Sequence, residues 1–386
     1  MENFEEKACL CALNRIFGFE PKLALALIEH LGSAREVFCL SPKDLEEITG
    51  PYFKYKGRIC CQAADEAAEE LHRLSSSGIS FCGWTEDGYP EILKECEDPP
   101  IGLYVRSTTP VEKLWSQGIS VVGTRDISPY GREWCRKIVG GLSKCADKPV
   151  IVSGLAMGTD IEAHRMAIEC GLPTIGVMAT GPDRIYPWRH RDFAEKMVRT
   201  PGCALITDYP PGTAPLAIHF LRRNRIIAGL SKATILVESK IRGGGMMTCR
   251  LAFSYNRDVY ALPGRIDDVR SHGCNDLIRR KTAEPITSVE DLIESLGMKG
   301  VRSGKPPIQG DIAARTYSDR MSSEEYKQLK SILEYIRKHR GSTVEETACG
   351  TGIDIVSAAR IASLLEIDGF ITIDLLQRCS INYKNV

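Results

Sequence analysis

The chain has 386 residues, 43% hydrophobic and 26% charged, with 50 basic residues balanced by 50 acidic ones. That length allows two or three domains with at least one full hydrophobic core. No run approaches the roughly 18 apolar residues of a membrane span, and zero net charge excludes a uniformly basic nucleic-acid coat while leaving room for a local basic groove.

The opening MENFEEKACL lacks the basic and apolar regions of a secretory leader, which implies a cytoplasmic protein. Its 15 cysteines show no paired C-x-x-C spacing. Free thiols in a reducing compartment and no structural metal are therefore expected.

Residues 1–85 read as a helical domain, SAM-like or helix-hairpin-helix-like. FGFEPKLALALIEHLGSAREVF carries apolar residues at helical spacing around a turn at Gly18–Pro21, and LSPKDLEEITG is a Ser-capped helix ending on Gly50. Such a pair of helices either touches DNA backbone or forms a small packing domain.

From about 101 to 296, within a domain taken as 86–297, the period changes. GISVVGT, KPVIVSG, TIGVMAT, CALITDY, ATILVES and DVYALPG alternate with amphipathic stretches such as GREWCRKIVGGL and IEAHRMAIE. Near-continuous apolar strands separated by helix-length segments predict a mostly parallel sheet covered on both faces, a doubly wound α/β domain. Residues 298–320 are a Gly/Pro/Lys linker. The last segment, 321–386, reads as three helices and a strand, the order of a winged helix. Its reading helix, Asp354–Glu366, offers Arg360 as its one strong phosphate or base contact, which suits protein docking or weak DNA contact.

In an open parallel sheet, ligands bind beyond the carboxyl ends of the strands. There the sequence places Gly123-Thr124-Arg125, the Ser153-Gly154-Leu155-Ala156-Met157-Gly158 turn, GPDRIYPWRHR, DYPPGT and ESKIRGGGMMT. Glycines let backbone N–H groups face an anion, following helices add their positive dipole ends, and Arg125 adds a bidentate clamp. HFLRRNRIIAGLSK contributes Arg222, Arg223 and Arg225 around Asn224, beside an apolar helix face. Tyr186, Trp188 and Tyr209 either stack bases or, for the first two, pin a loop.

Asp160 and His164 stand four apart on one helix, as an acid–base pair or as a cap with a hydrogen-bonded histidine. No GxSxG elbow, no G-x-G-x-x-G with an acidic ribose ligand and no Walker A loop occurs. Asp183, Asp208 and Glu238 at strand ends leave only a weak nuclease reading.

VVGTR, SPYGR, VSGLAMGTDIEAH, the IYP turn, DYPPGT, RRNRIIAGLS, GGGMMT and ALPG followed by S-x-G-C-N-x-LI run in order from Ile101 to Ser295. In these stretches the chain resembles the DNA-processing protein A family, DprA or Smf. The resemblance implies an extended Rossmann-like core at 86–297, dimeric, binding single-stranded DNA and helping to load the RecA recombinase in natural transformation. It implies no nucleotide cofactor and no catalytic step. Carried over by position, the strand pocket would comprise Gly123, Thr124, Arg125, Ser153, Gly154, Leu155, Ala156, Gly158, Arg222, Arg223, Asn224 and Arg225.

Asp208 stands where members usually have Glu, Leu221 where they have Pro, and the Gly243–Met247 turn departs from the usual Ser, Gly and Leu. Two other readings compete. One is a nucleotide-binding or phosphoribohydrolase-type enzyme using Glu238, and the other an adaptor docking through its winged helix.

Overall fold

Helical spacing dominates the N-terminal segment, and the computed structural model, which describes residues 2–298, 317, 321–339, 341–374 and 377–381, resolves it into five helices. These are α1 (Glu2–Phe17), α2 (Pro21–Leu31), α3 (Ala34–Cys39), α4 (Pro42–Thr49) and α5 (Cys61–Ser76). The predicted Ser-capped helix is α4: Ser41 and Asp44 form a reciprocal capping box and Gly50 closes the helix at φ 85°.

One expectation for this segment fails. Residues 79–83 are not helical but form β1 (Ile79–Gly83), paired antiparallel with β2 (Gly102–Arg106). β1 is an edge strand that follows helical-period sequence, and exposed Ser80 interrupts its apolar run. Leu10, Leu13 and Phe17 of α1 share a core with Phe81, Ile101 and Tyr104, so the helices pack directly on these two strands.

The chain continues through α6 (Glu91–Lys94), β3 (Gly118–Val122), α7 (Pro129–Leu142), β4 (Val150–Ser153), α8 (Thr159–Glu169) and β5 (Thr174–Val177). Then come α9 (Arg191–Arg199), β6 (Ala204–Thr207), α10 (Ala217–Gly229), β7 (Ala233–Leu236), α11 (Gly244–Ser254) and β8 (Asp258–Ala261). It closes with α12 (His272–Arg279), β9 (Glu284–Pro285) and α13 (Val289–Ser295). The nine strands lie in the order β1-β2-β6-β5-β4-β3-β7-β8-β9. Pairing is parallel from β6 through β9 and antiparallel for β1 and β2.

Strands β3 to β7 are buried on both faces. Within β4, Val150 and Val152 join Ile226 and Ile227 of α10, while the intervening Ile151 joins Ile138 and Val139 of α7. Two-sided burial is the reason these strands read as unbroken apolar runs. The chain winds from β3 outward to β6, then returns to the other side of β3 with β7. The topological switch point therefore lies between β3 and β7.

Residues 1–301 make one compact unit and 302–386 a second. Apart from Met298 and Tyr317, the predicted 298–320 linker lies outside the described residues. The second unit contains α14 (Ser323–Lys338), α15 (Val344–Thr351), α16 (Ile355–Ile367) and an antiparallel pair, β10 (Ile371–Ile373) and β11 (Cys379–Ile381). Ile332, Ile336, Ile361, Leu365 and Cys379 fill a core of its own. Arg360 of the predicted reading helix is held by Glu325 at 2.5 Å. Among the described residues no single helix is long and apolar enough to cross a membrane.

Candidate nucleic-acid interface

A cleft of about 750 Å³ opens at the switch point. Gly123, Thr124 and Arg125 follow β3 into it, Ala156 comes from the β4 turn, and Phe220, Arg223 and Asn224 come from α10. Lys240, Arg242 and the Gly243–Gly245 turn after β7 form the facing rim. Arg125, Lys240 and Arg242 are exposed. Among the described residues none of the three has a carboxylate partner; Arg125 lies 5.3 Å from the Phe220 ring. Asp126, the exposed carboxylate on this rim, is engaged by Arg270 at 2.9 Å.

Two helices begin in the cleft. Neither α10, starting beside Pro215 and Ala217, nor α11, starting at Gly244, has a side chain capping its first turn. Helix starts without a side-chain cap favour an anion.

The Ser153–Gly158 turn behaves differently from the phosphate cradle expected of it. Asp160 Oδ2 accepts from the Ala156 amide at 3.4 Å, so the protein's own carboxylate fills the nest. Burial raises the Asp160 carboxyl above its ordinary range, and the Arg223 charge opposes that rise. A Cβ at Gly154 would come within 2.6 Å of both Arg223 Nη2 and Asp160 Oδ2, which leaves this position to glycine. Ser153 is buried and donates to the Val121 carbonyl at 2.6 Å. Leu155 is buried in the core against Met178 and Met197.

Gly158 has φ +78°, and a Cβ there would overlap the Thr124 carbonyl oxygen. The amides opening α8 are used internally, Thr159 N on Thr124 O at 3.1 Å and Ile161 N on Ala156 O at 3.2 Å. Of the predicted turn residues only Ala156 lines the cleft, and Ser153, Gly154, Leu155 and Gly158 are its scaffold.

The arginine run also separates. Arg223 lines the cleft but is 3% exposed, donating to the Gly154 carbonyl at 2.6 Å and to the Val177 carbonyl. Burial lowers its guanidinium to about 10, still protonated at neutral pH. Arg225 does not line the cleft: it is 8% exposed, pairs with Asp208 at 2.6 Å and donates to the Asp98 carbonyl. Arg222 lies outside it too, 3.8 Å over the Phe19 ring. Of the expected Arg222–Arg225 cluster, Arg223 and Asn224 line the cleft while Arg222 and Arg225 do not, so the cluster supplies one buried cation, Arg223, behind a rim of Arg125, Lys240 and Arg242. Lys240 and Arg242 escaped the sequence reading because their loop has no periodicity to mark which side chains face inward.

His164 is no partner of Asp160. Its Nδ1 shares a hydrogen bond with Thr174 Oγ1 at 2.7 Å, and burial lowers the ring to about 3. Glu238 accepts from the Ser128 amide at 2.9 Å and from its hydroxyl, holding the start of α7. That role removes it from the cleft lining. Asp183 likewise accepts from Gly212 N at 2.9 Å. Among the described residues no group of three or more His, Cys, Asp or Glu side chains is arranged to hold a metal ion.

The fold and cleft define a class, a Rossmann-like α/β protein with a cationic, aromatic-walled cleft at its switch point. The family described as DNA recombination-mediator protein A matches residues 80–297, and the chain belongs to that family. Protein Smf of Synechocystis sp. is 33% identical over 295 residues, covering 76% of this chain and 73% of that protein. DNA processing protein DprA of Streptococcus pneumoniae is 38% identical over 208 residues, covering 54% and 71%.

Among solved structures, the X-ray structure of DNA processing protein A from Streptococcus pneumoniae is similar with a TM-score of 0.63 at 30% identity, over 76% of this chain and 98% of that one. DNA processing protein A from Helicobacter pylori, described for its single-stranded DNA binding mode, has a TM-score of 0.50 at 28% identity, over 56% and 95%.

Proposed function

We propose that the switch-point cleft binds single-stranded DNA, and that the protein acts in the cytoplasm as a non-catalytic, dimeric mediator passing that strand to the RecA recombinase. The observation that carries the reading is the rim of Arg125, Lys240 and Arg242, three exposed cations with no carboxylate partner among the described residues, around two helix starts without side-chain caps. Phosphates would bind the rim, and bases would lie against Phe220 and Tyr186, both in the cleft wall. The Helicobacter pylori relative, named for a single-stranded DNA binding mode, supports the ligand class. The family's description as a recombination mediator supports the role, and the RecA and dimer assignments rest on the family resemblance.

The test is a salt-titrated affinity for oligothymidylate and for duplex DNA. Each phosphate neutralised on a single strand contributes about −0.7 to the slope of log K against log salt. Replacing Arg125 and Arg242 together by alanine should weaken strand binding about tenfold or more and make that slope shallower by about 1.4. The same pair should abolish stimulation of RecA filament formation. Unchanged affinity in correctly folded variants would refute this placement of the strand.

A further inference from the structure

The loop between β5 and α9 carries Arg184, Ile185, Tyr186, Pro187, Trp188, Arg189 and His190. It is anchored from inside. Ile185 packs against the Leu155–Met178 core, and the buried His190 donates from Nδ1 to the Leu155 carbonyl at 2.9 Å. Thr180 Oγ1 donates to the Arg184 carbonyl at 2.6 Å. Those contacts, not the aromatic residues, pin the loop.

Trp188 is left 70% exposed and Tyr186 44%. An indole exposed to that degree on an anchored loop contributes nothing to the core, and large exposed aromatics on rigid supports mark contact surfaces. One face of the Trp188 ring is covered by the Arg191 guanidinium, 4.6 Å from its centroid. Arg184, Arg189 and Arg191 are exposed, and among the described residues none of them has a carboxylate partner. Asp183 and Asp192 are the acidic neighbours in sequence, and the first is bound to the Gly212 amide.

The patch is continuous with the cleft. Arg125 lies over Phe220, Phe220 meets Tyr186 edge to face at 5.4 Å, and Tyr186 leads along the loop to Trp188. We propose that this loop is a second nucleotide platform, where bases of a single strand leaving the cleft stack on Trp188 while Arg189 and Arg191 neutralise the flanking phosphates. A chain carrying both negative charge and π faces matches this surface on both counts. The proposal rests on the cleft reading above and lengthens its footprint.

The test compares oligothymidylates of about six and about twenty nucleotides on the full chain. Trp188→Ala should weaken the longer strand about tenfold and leave the shorter unchanged, with Trp188→Phe retaining most of the affinity. Arg189→Ala with Arg191→Ala should make the long-strand salt slope shallower by about 1.4. Trp188 is the one exposed tryptophan of four, so the longer strand alone should quench fluorescence, and the quenching should vanish in Trp188→Ala.

Equal long-strand affinity in Trp188→Ala overturns the platform while leaving the cleft reading intact. Equal loss for both lengths also overturns it, since the residue would then merely support the cleft. Unchanged DNA binding with lost RecA stimulation would reassign the patch to a protein partner. A wild-type chain that binds neither strand would end both readings.

Discussion

Within the four residues Arg222–Arg225, three guanidinium groups reach three environments. Successive helical residues turn by about 100°, so a consecutive run fans around the axis instead of lining one face. Arg222 lies over Phe19, Arg223 sinks beneath the cleft floor, and Arg225, on the side of α10 away from Arg223, meets Asp208. The buried pair predicts a separation of roles. Arg225→Ala would leave the Asp208 carboxylate buried without its partner, lowering stability by about 3–5 kcal/mol. Arg125→Ala, an exposed change, should stay within about 0.5 kcal/mol of wild type while losing strand affinity. Urea unfolding of both variants checks this, and similar midpoints for the two would contradict the buried pair as a structural element.

At the scale of elements, α8 shows how a polar sequence can be internal. Thr159, Asp160, Glu162 and His164 are all buried in it, and each has a partner: Thr124 O, Arg223, Arg136 and Thr174. His164, held neutral with its ring near 3, makes the helix acid-sensitive. Above about pH 6.5 neither state binds the proton, and its contribution is fully present. As pH falls from there toward 3, the unfolded chain takes up a proton that the folded chain refuses, and stability is lost at up to about 1.4 kcal/mol per pH unit. Burial also lowers His190, adding in the same direction, whereas the raised Asp160 opposes it just above its ordinary range. Denaturation midpoints of His164→Gln should therefore vary less between about pH 6.5 and 4.5 than those of wild type. Parallel profiles would show that His164 is not the group responsible.

The same helix illustrates what could be read in advance. The central parallel strands and their helices were legible because two-sided burial writes itself as unbroken apolar runs. β1 is an edge strand with an exposed second residue, and β9 is two exposed residues, so neither carries that pattern. Glycine and serine marked the Ser153–Gly158 turn as an anion nest, and it is one. Residue types alone could not say that Asp160, two residues beyond Gly158, is the anion that fills it.

For the whole molecule, zero net charge means that strand affinity must come from where the cations sit. The cleft and the Trp188 loop lie wholly between residues 122 and 248. The 302–386 unit has a separate core and presents Ile355 and Val356 on α16, with Arg360 already paired to Glu325. A chain ending after residue 301 should therefore bind single strands within about twofold of the full protein, with an unchanged salt slope. Calorimetry should show one transition fewer, because separate cores unfold separately. If the shortened chain keeps the strand but no longer stimulates RecA, the second unit is a docking module. If strand affinity instead drops about tenfold and the salt slope flattens, its surface lies on the DNA path, and the apolar start of α16 is the wrong part of it to mutate next.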